Sequence, residues 1–285
     1  MDIAVAMTAI LGTILAIILG LLTLQTPAKD PRASSWFPSR QLQPSKRSYE
    51  MFVACYTPVW IAAFAAVVVF QLYEAFDASM YLKFCGGLAL PLLLQPMFYP
   101  TAGSRSPDET RPLMERFAFK ANIWIAVYSF IGNYFYTHYF YSVLKAEYTM
   151  PAHRLNNVPI ALYFATHFYF STYHFFSNVM LRKIVTTYEK GTLRTILFVT
   201  TVLGFAYFTA FMETLTISTY PYYSFEDRDM AYTLGSCFYG IYFIVIKSGY
   251  ISVKFNFSNG TLQNQKKNIY NLPKQYIFTI ISYKY

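Results

Sequence analysis

Charge is what this sequence has least of. Lys, Arg, Asp and Glu supply 13% of its 285 residues, about half the share found in soluble proteins. That excludes a cytosolic enzyme, a disordered chain and a charge-laced coiled coil. Three cysteines, Cys55, Cys85 and Cys237, are too few and too scattered for a disulfide framework or a zinc site. No Gly-rich phosphate loop and no dinucleotide fingerprint occurs. The four histidines, at 138, 153, 167 and 174, lack the close spacing of a membrane di-iron centre. Neither a metal nor a cofactor is expected. No internal repeat and no extramembrane domain is visible.

What the chain has instead is hydrocarbon and rings. Hydrophobic residues make up 55% of it and aromatics 20%, with 27 Tyr and 27 Phe, too many for one water-soluble core of this size. A membrane span needs about 17–25 residues, and seven stretches nearly free of charge qualify. They are Ile3–Leu24, Met51–Leu72, Phe84–Tyr99 (short, and expected to be broken by Pro91 and Pro96), Ala121–Leu144, Pro159–Leu181, Thr195–Tyr220 and Met230–Ile246. The expected fold class is all-α, a polytopic bundle of about seven transmembrane helices. Ile3–Leu24 lacks a basic leader and a cleavage site, so it reads as a signal-anchor.

The net charge of +9 invites a nucleic-acid reading until its sources are located. With a lumenal N-terminus, nineteen of the 23 Lys and Arg fall in cytoplasmic segments, leaving only Lys83, Lys145, Arg154 and Arg228 opposite. The opposite loops carry Glu74, Asp77, Glu226, Asp227 and Asp229. The positive charge is therefore a topology signal, with anionic lipid as its natural neighbour. No nucleic acid and no obligate protein partner is expected. The chain divides into an anchor and cytoplasmic linker (1–43), a membrane-embedded domain (44–246) and a basic tail (247–285) expected to be disordered. The sequons at Asn256 and Asn259 fall on the cytoplasmic side and should stay bare.

Polar groups inside spans are costly, and by default mark function. In Ala121–Leu144, Asn122, Asn133, Thr137 and Tyr141 share a helical face, with Tyr134 and His138 beside it. In Pro159–Leu181, Tyr163, His167, Ser171, His174 and Asn178 form a narrow stripe, and Thr209, Glu213, Thr216 and Tyr220 line up in the sixth span. Lipid satisfies none of these, so the three faces should turn toward one another. At about 1.5 Å per residue, His138, His167 and Glu213 lie roughly 10 Å below the same surface and could meet in one layer. Asn122, Ser171, Asn178 and Thr216 suit interhelical glue. His167 and His174 suit glue or function equally. Glu213 points to function, because an isolated carboxyl in lipid keeps its proton and stands ready as a general acid.

Several segments together resemble the cycloeucalenol cycloisomerase family. They are PSKR at 44–47, YTPVW at 56–60, LYEAF at 72–76, KANIWI at 120–125, GNYFYTHYF at 132–140 and NNVP at 156–159. The series from Thr166 to Arg182, YPYYSFEDR at 220–228 and YGIYFIV at 239–245 extend the likeness, which spans about 70% of the chain. Tyr136 and Ser224 depart from the pattern, and the likeness stops after Val245. The resemblance implies an endoplasmic-reticulum membrane isomerase that opens the 9β,19-cyclopropane of a cyclopropyl sterol, converting cycloeucalenol to obtusifoliol. On that reading Glu213 is the acid, and His138 or His167 takes the departing proton. Trp124, Tyr134 and Tyr141 wall the cavity, Asn133 and His174 line it, and Tyr222 in the YPYYSFEDR loop helps to hold the sterol hydroxyl. The competing class is a non-enzymatic sterol carrier or transporter, whose passage the polar stripes would line.

Overall fold

The computed structural model describes residues 3–30, 34–98, 108–217 and 220–244. The sequons and the basic tail lie outside the described residues. Helices carry nearly all of the regular structure: α1 (Ile3–Thr23), α2 (Pro44–Val69), α3 (Ala78–Phe98), α4 (Phe117–Ile131), α5 (Thr137–Ser142), α6 (Ile160–Thr187), α7 (Thr192–Ile217) and α8 (Arg228–Met230). A π-helical turn, Gly132–Tyr136, links α4 to α5. A second, Ala231–Gly235, leads into a helical stretch over 236–244. Two pairs of two-residue strands interrupt the all-helical picture. β1 (Glu147–Tyr148) pairs antiparallel with β4 (Tyr223–Ser224), and β2 (Arg154–Leu155) with β3 (Val158–Pro159).

Among the described residues, four helices are long and apolar enough to cross a membrane: Val5–Thr23, Pro44–Val69, Ala78–Phe98 and Thr192–Thr216. The other three expected spans fall on α4–α5, on α6 and on 228–244. Asn, His, Ser and Tyr side chains dilute the hydropathy of α6, and the π turn divides α4 from α5. Lipid-facing character is plainest in α1, where Leu15, Ile17 and Leu19 are each half exposed or more. An apolar surface of that kind suits acyl chains and not water. The same helix packs closely on α7 at Gly204, where an added Cβ would lie 2.7 Å from the Ile14 Cγ2.

The expected break in the third span does not occur; α3 runs through both prolines. Pro96 has no N–H to give the Leu92 carbonyl, but the Asn122 amide of α4 reaches across and donates to it at 2.8 Å. The Arg116 guanidinium takes the Pro96 carbonyl at 2.7 Å, and the Tyr56 hydroxyl of α2 takes that of Leu88 at 2.6 Å. The Asn122 side chain thus restores the partner that Pro96 removes from Leu92, as membrane bundles require.

The basic residues gather at one end of the bundle. There Arg182 of α6 grips Glu50 of α2 through both guanidinium nitrogens, at 2.8 and 2.6 Å. Lys183 bonds Ser34 at 2.6 Å, and residues 26–28 pair with the turn after α6. The opposite end carries the strand pairs, which form a small clasp over α5, α6 and α7. Three buried clusters fill the space between: Tyr49, Val53, Ala89, Leu92, Phe168 and Phe175 toward the basic end, a middle one around Ile125, Phe170, Tyr173 and Phe243, and one around Tyr73, Tyr81 and Met150 beneath the clasp.

Candidate active site

Glu213 sits four residues before the end of α7, below the clasp. Thr209 and Thr216, a turn to either side on the same face, donate to main-chain carbonyls of their own helix. Tyr169 of α6 and Tyr239 of the 236–244 helix are the hydrogen-bonding neighbours of the Glu213 carboxyl. Its Oε2 atom is buried with no partner within bonding distance. Above it, Tyr148 and Tyr223 face each other as a register pair of β1 and β4. Their rings stack 4.2 Å apart, their hydroxyls interact, and both feel the Glu213 charge. Burial pushes both phenols above the ordinary tyrosine range, so they remain protonated and able to donate. The carboxyl is thereby ringed by four tyrosines from four elements.

An open pocket of about 240 Å³ adjoins this ring on the clasp side, lined by Tyr141, Ala146, Glu147, Tyr148, Arg154 and Asn157. Tyr148 belongs to both. Arg154 is pinned by the Asn157 and Tyr148 carbonyls, and Tyr141 donates to the Asn157 carbonyl at 3.2 Å. Asn156 and Asn157 adopt positive φ of 51° and 61°, a conformation that Asn tolerates better than most residues. The NNVP turn can therefore fold down over α5.

The layer expected to join Glu213 with two imidazoles is not formed. His167 is buried, and its Nε2 meets the Asn122 Oδ1 at 2.9 Å. Because the Asn122 amide nitrogen is committed to the Leu92 and Ala118 carbonyls, its oxygen faces His167 and the ring must donate. His167 thus completes the repair of α3, on the face of α6 turned to α4. Tyr169 lies two residues on, about 200° round the helix, and that opposite face meets Glu213. His138 is held elsewhere, with its Nε2 3.0 Å from the Asn156 carbonyl and its ring against Tyr141. His174 follows His167 by seven residues, on the same face, beside Tyr173.

Of the expected wall, Tyr141 lines the pocket, whereas Trp124 packs on Tyr128 and Tyr134 stacks on Phe130. Asn133 is buried, donating to the Ser129 carbonyl and to Thr166 at 2.7 Å. Tyr222 turns away from Glu213 to meet Tyr73 and Tyr220. Tyr223, the first residue of β4, is the one that lies within reach of the Glu213 charge. The Asn122 role carries a prediction. Asn122→Leu strands the Leu92 carbonyl and the His167 N–H, at about 1–3 kcal/mol for each buried group left unpaired. A clear drop in detergent melting temperature is the expected readout.

No family model matches the chain, and no solved structure does. It is similar to the cycloeucalenol cycloisomerase of Arabidopsis thaliana, with 41% identity over 205 residues, 71% of this chain and 72% of that protein. The chain belongs to the cycloeucalenol cycloisomerase family. It is accordingly an isomerase, built largely of helices with membrane-type spans. Within this family member, all four tyrosines around Glu213 escape helical-face reading because of where they sit. Tyr223 and Tyr239 fall inside the YPYYSFEDR and YGIYFIV segments, which signal their neighbourhood without marking their direction. Tyr148 lies in a loop that no periodicity describes. Tyr169 was hidden by the polar stripe on the other side of its own helix.

Proposed function

We propose that this chain opens the 9β,19-cyclopropane ring of a cyclopropyl sterol within the endoplasmic-reticulum membrane, with its N-terminus in the lumen, taking cycloeucalenol to obtusifoliol. The observation that carries this reading is the Glu213 carboxyl, held among tyrosines with one oxygen unpartnered, beneath a pocket at the end of the bundle. The reaction adds a proton at C19 and removes one at C8, and no electrons leave or enter. It therefore asks for a neutral acid, a water-poor chamber and a wall that tolerates positive charge at C9. Glu213 is the proton donor. Rings of Tyr169, Tyr239, Tyr148 and Tyr223 offer their faces to the cation, an attraction worth about 2 kcal/mol or more when desolvated. The pocket beside Tyr141, Glu147 and Arg154 receives the 3-hydroxyl at the interface, one ring's width from the cyclopropane.

Membranes containing the chain, given cycloeucalenol without added nucleotide, should yield a product of equal mass and altered chromatographic mobility. Sterol binding without conversion would point instead to a carrier.

A further inference from the structure

The acid is accounted for, but the base is not. His138 and His167 are the imidazoles nearest in depth, yet one is bonded to the Asn156 carbonyl and the other to Asn122 on the far face of α6. The groups placed around the Glu213 carboxyl are phenols, which are poor bases because burial disfavours their anions. One strong base does arise in the chamber as the reaction proceeds: the Glu213 carboxylate itself, once its proton has gone.

We propose that Glu213 performs both proton transfers, one through each carboxyl oxygen. This rests on the isomerase reading and assigns its missing base. The two reacting carbons make it geometrically economical, since C19 and C8 are both bonded to C9. In the first step the Glu213 O–H bond breaks, and the C9–C19 electron pair takes the proton to complete a methyl group. C9 is left cationic beside a newly formed carboxylate, which the Tyr169 and Tyr239 hydroxyls stabilise by donation. In the second step the C8–H bond breaks, its electron pair forms the C8=C9 double bond, and its proton moves to the other carboxyl oxygen. The acid is regenerated with no net change in atoms or charge. The buried Oε2, with no hydrogen-bond partner of its own, is the oxygen free to accept the C8 proton. Tyr169 and Tyr239 act as positioning residues that hold the carboxyl's orientation.

A shared carboxyl makes an isotopic demand that two separate groups do not. The proton taken from C8 stays on Glu213 and is handed to C19 of a following substrate before water replaces it. Purified full-length protein turning over unlabelled cycloeucalenol in D2O should therefore place less than one deuterium at C19 when substrate is saturating. Incorporation should rise toward one as substrate is diluted and the enzyme waits longer between turnovers. One full deuterium at C19 under saturating conditions overturns the proposal. A second measurement stands independently: His138→Ala should keep its turnover number within about threefold of the parent. A loss of a hundredfold or more at that half-buried ring, with melting temperature unchanged, gives the base role back to imidazole and overturns the proposal. A parent protein that converts no sterol would instead remove the isomerase reading beneath it, so the two failures are distinguishable.

Discussion

Glu213→Gln is expected to abolish measurable isomerisation while leaving the folded bundle intact. General acid or base catalysis by one group contributes between about 10²- and 10⁴-fold. A residue serving both proton transfers sits at the upper end of that range or beyond it. The amide matches the carboxyl in shape and can accept from Tyr169 or Tyr239, so the packing of α7 against α6 and the 236–244 helix has no reason to change. What it cannot do is release a proton. The informative comparison is turnover per folded molecule, with melting temperature in detergent as the control. A Gln variant with parental activity would remove Glu213 from the reaction altogether. Tyr169→Phe provides the graded companion: it keeps the ring beside the cation and deletes one donor to the carboxylate. A fall in kcat with KM preserved separates that effect from a structural one, which would lower the amount of folded protein instead.

The parts of this architecture that were legible in the sequence are those governed by a single helix. Low charge and long apolar runs announce the spans, and the asymmetry of Lys and Arg anticipates the basic end where Arg182, Lys183 and Arg47 gather. Glu213 is conspicuous as the one acid in its span. Within the stripe from Tyr163 to Asn178, His167 and Ser171 are buried, whereas Tyr163, His174 and Asn178 are half-buried. What a stripe cannot tell is which neighbour it meets. His167 turned out to serve α4, and through Asn122 the proline of α3, a repair that joins three helices and leaves no trace in the spacing of any one. The same limit explains α3. Pro96 reads locally as a break, and the donor that cancels it lies 26 residues further along the chain.

The tyrosines failed for a different reason. With 27 of them, a tyrosine beside a catalytic carboxyl looks like any other that fills a lipid-facing groove. Preferring Tyr223 to Tyr222 requires knowing that β4 exists and pairs with β1, and a two-residue strand within an aromatic-rich loop has no period to detect. Charge and hydropathy located the acid; only the meeting of four elements located its surroundings.

The largest expected loss of stability lies at the other end of the molecule, in the grip of Arg182 on Glu50. Glu50 is only 2% exposed and lies on α2, while Arg182 closes the pair from the last turns of α6, also holding the Trp36 carbonyl at 2.6 Å. Three segments are thus fastened at a single guanidinium. Arg182→Met removes the fork and leaves a carboxylate walled off from water, and breaking a buried pair in this way costs about 3–5 kcal/mol. The Lys46 ammonium, 4.0 Å from the same carboxylate, softens the loss without replacing a two-pronged bond. Arg182→Lys should fall between the two, since a compact ammonium cannot span both oxygens. Pairing Arg182→Met with Glu50→Gln should recover part of the loss, because the double variant no longer buries an uncompensated charge. Thermal unfolding in detergent ranks the four proteins. Because α6 and α7 run antiparallel, this latch and Glu213 occupy opposite ends of the bundle. Turnover per folded molecule should therefore hold steady across the series, and an Arg182 variant that melts normally but loses catalysis would contradict that separation.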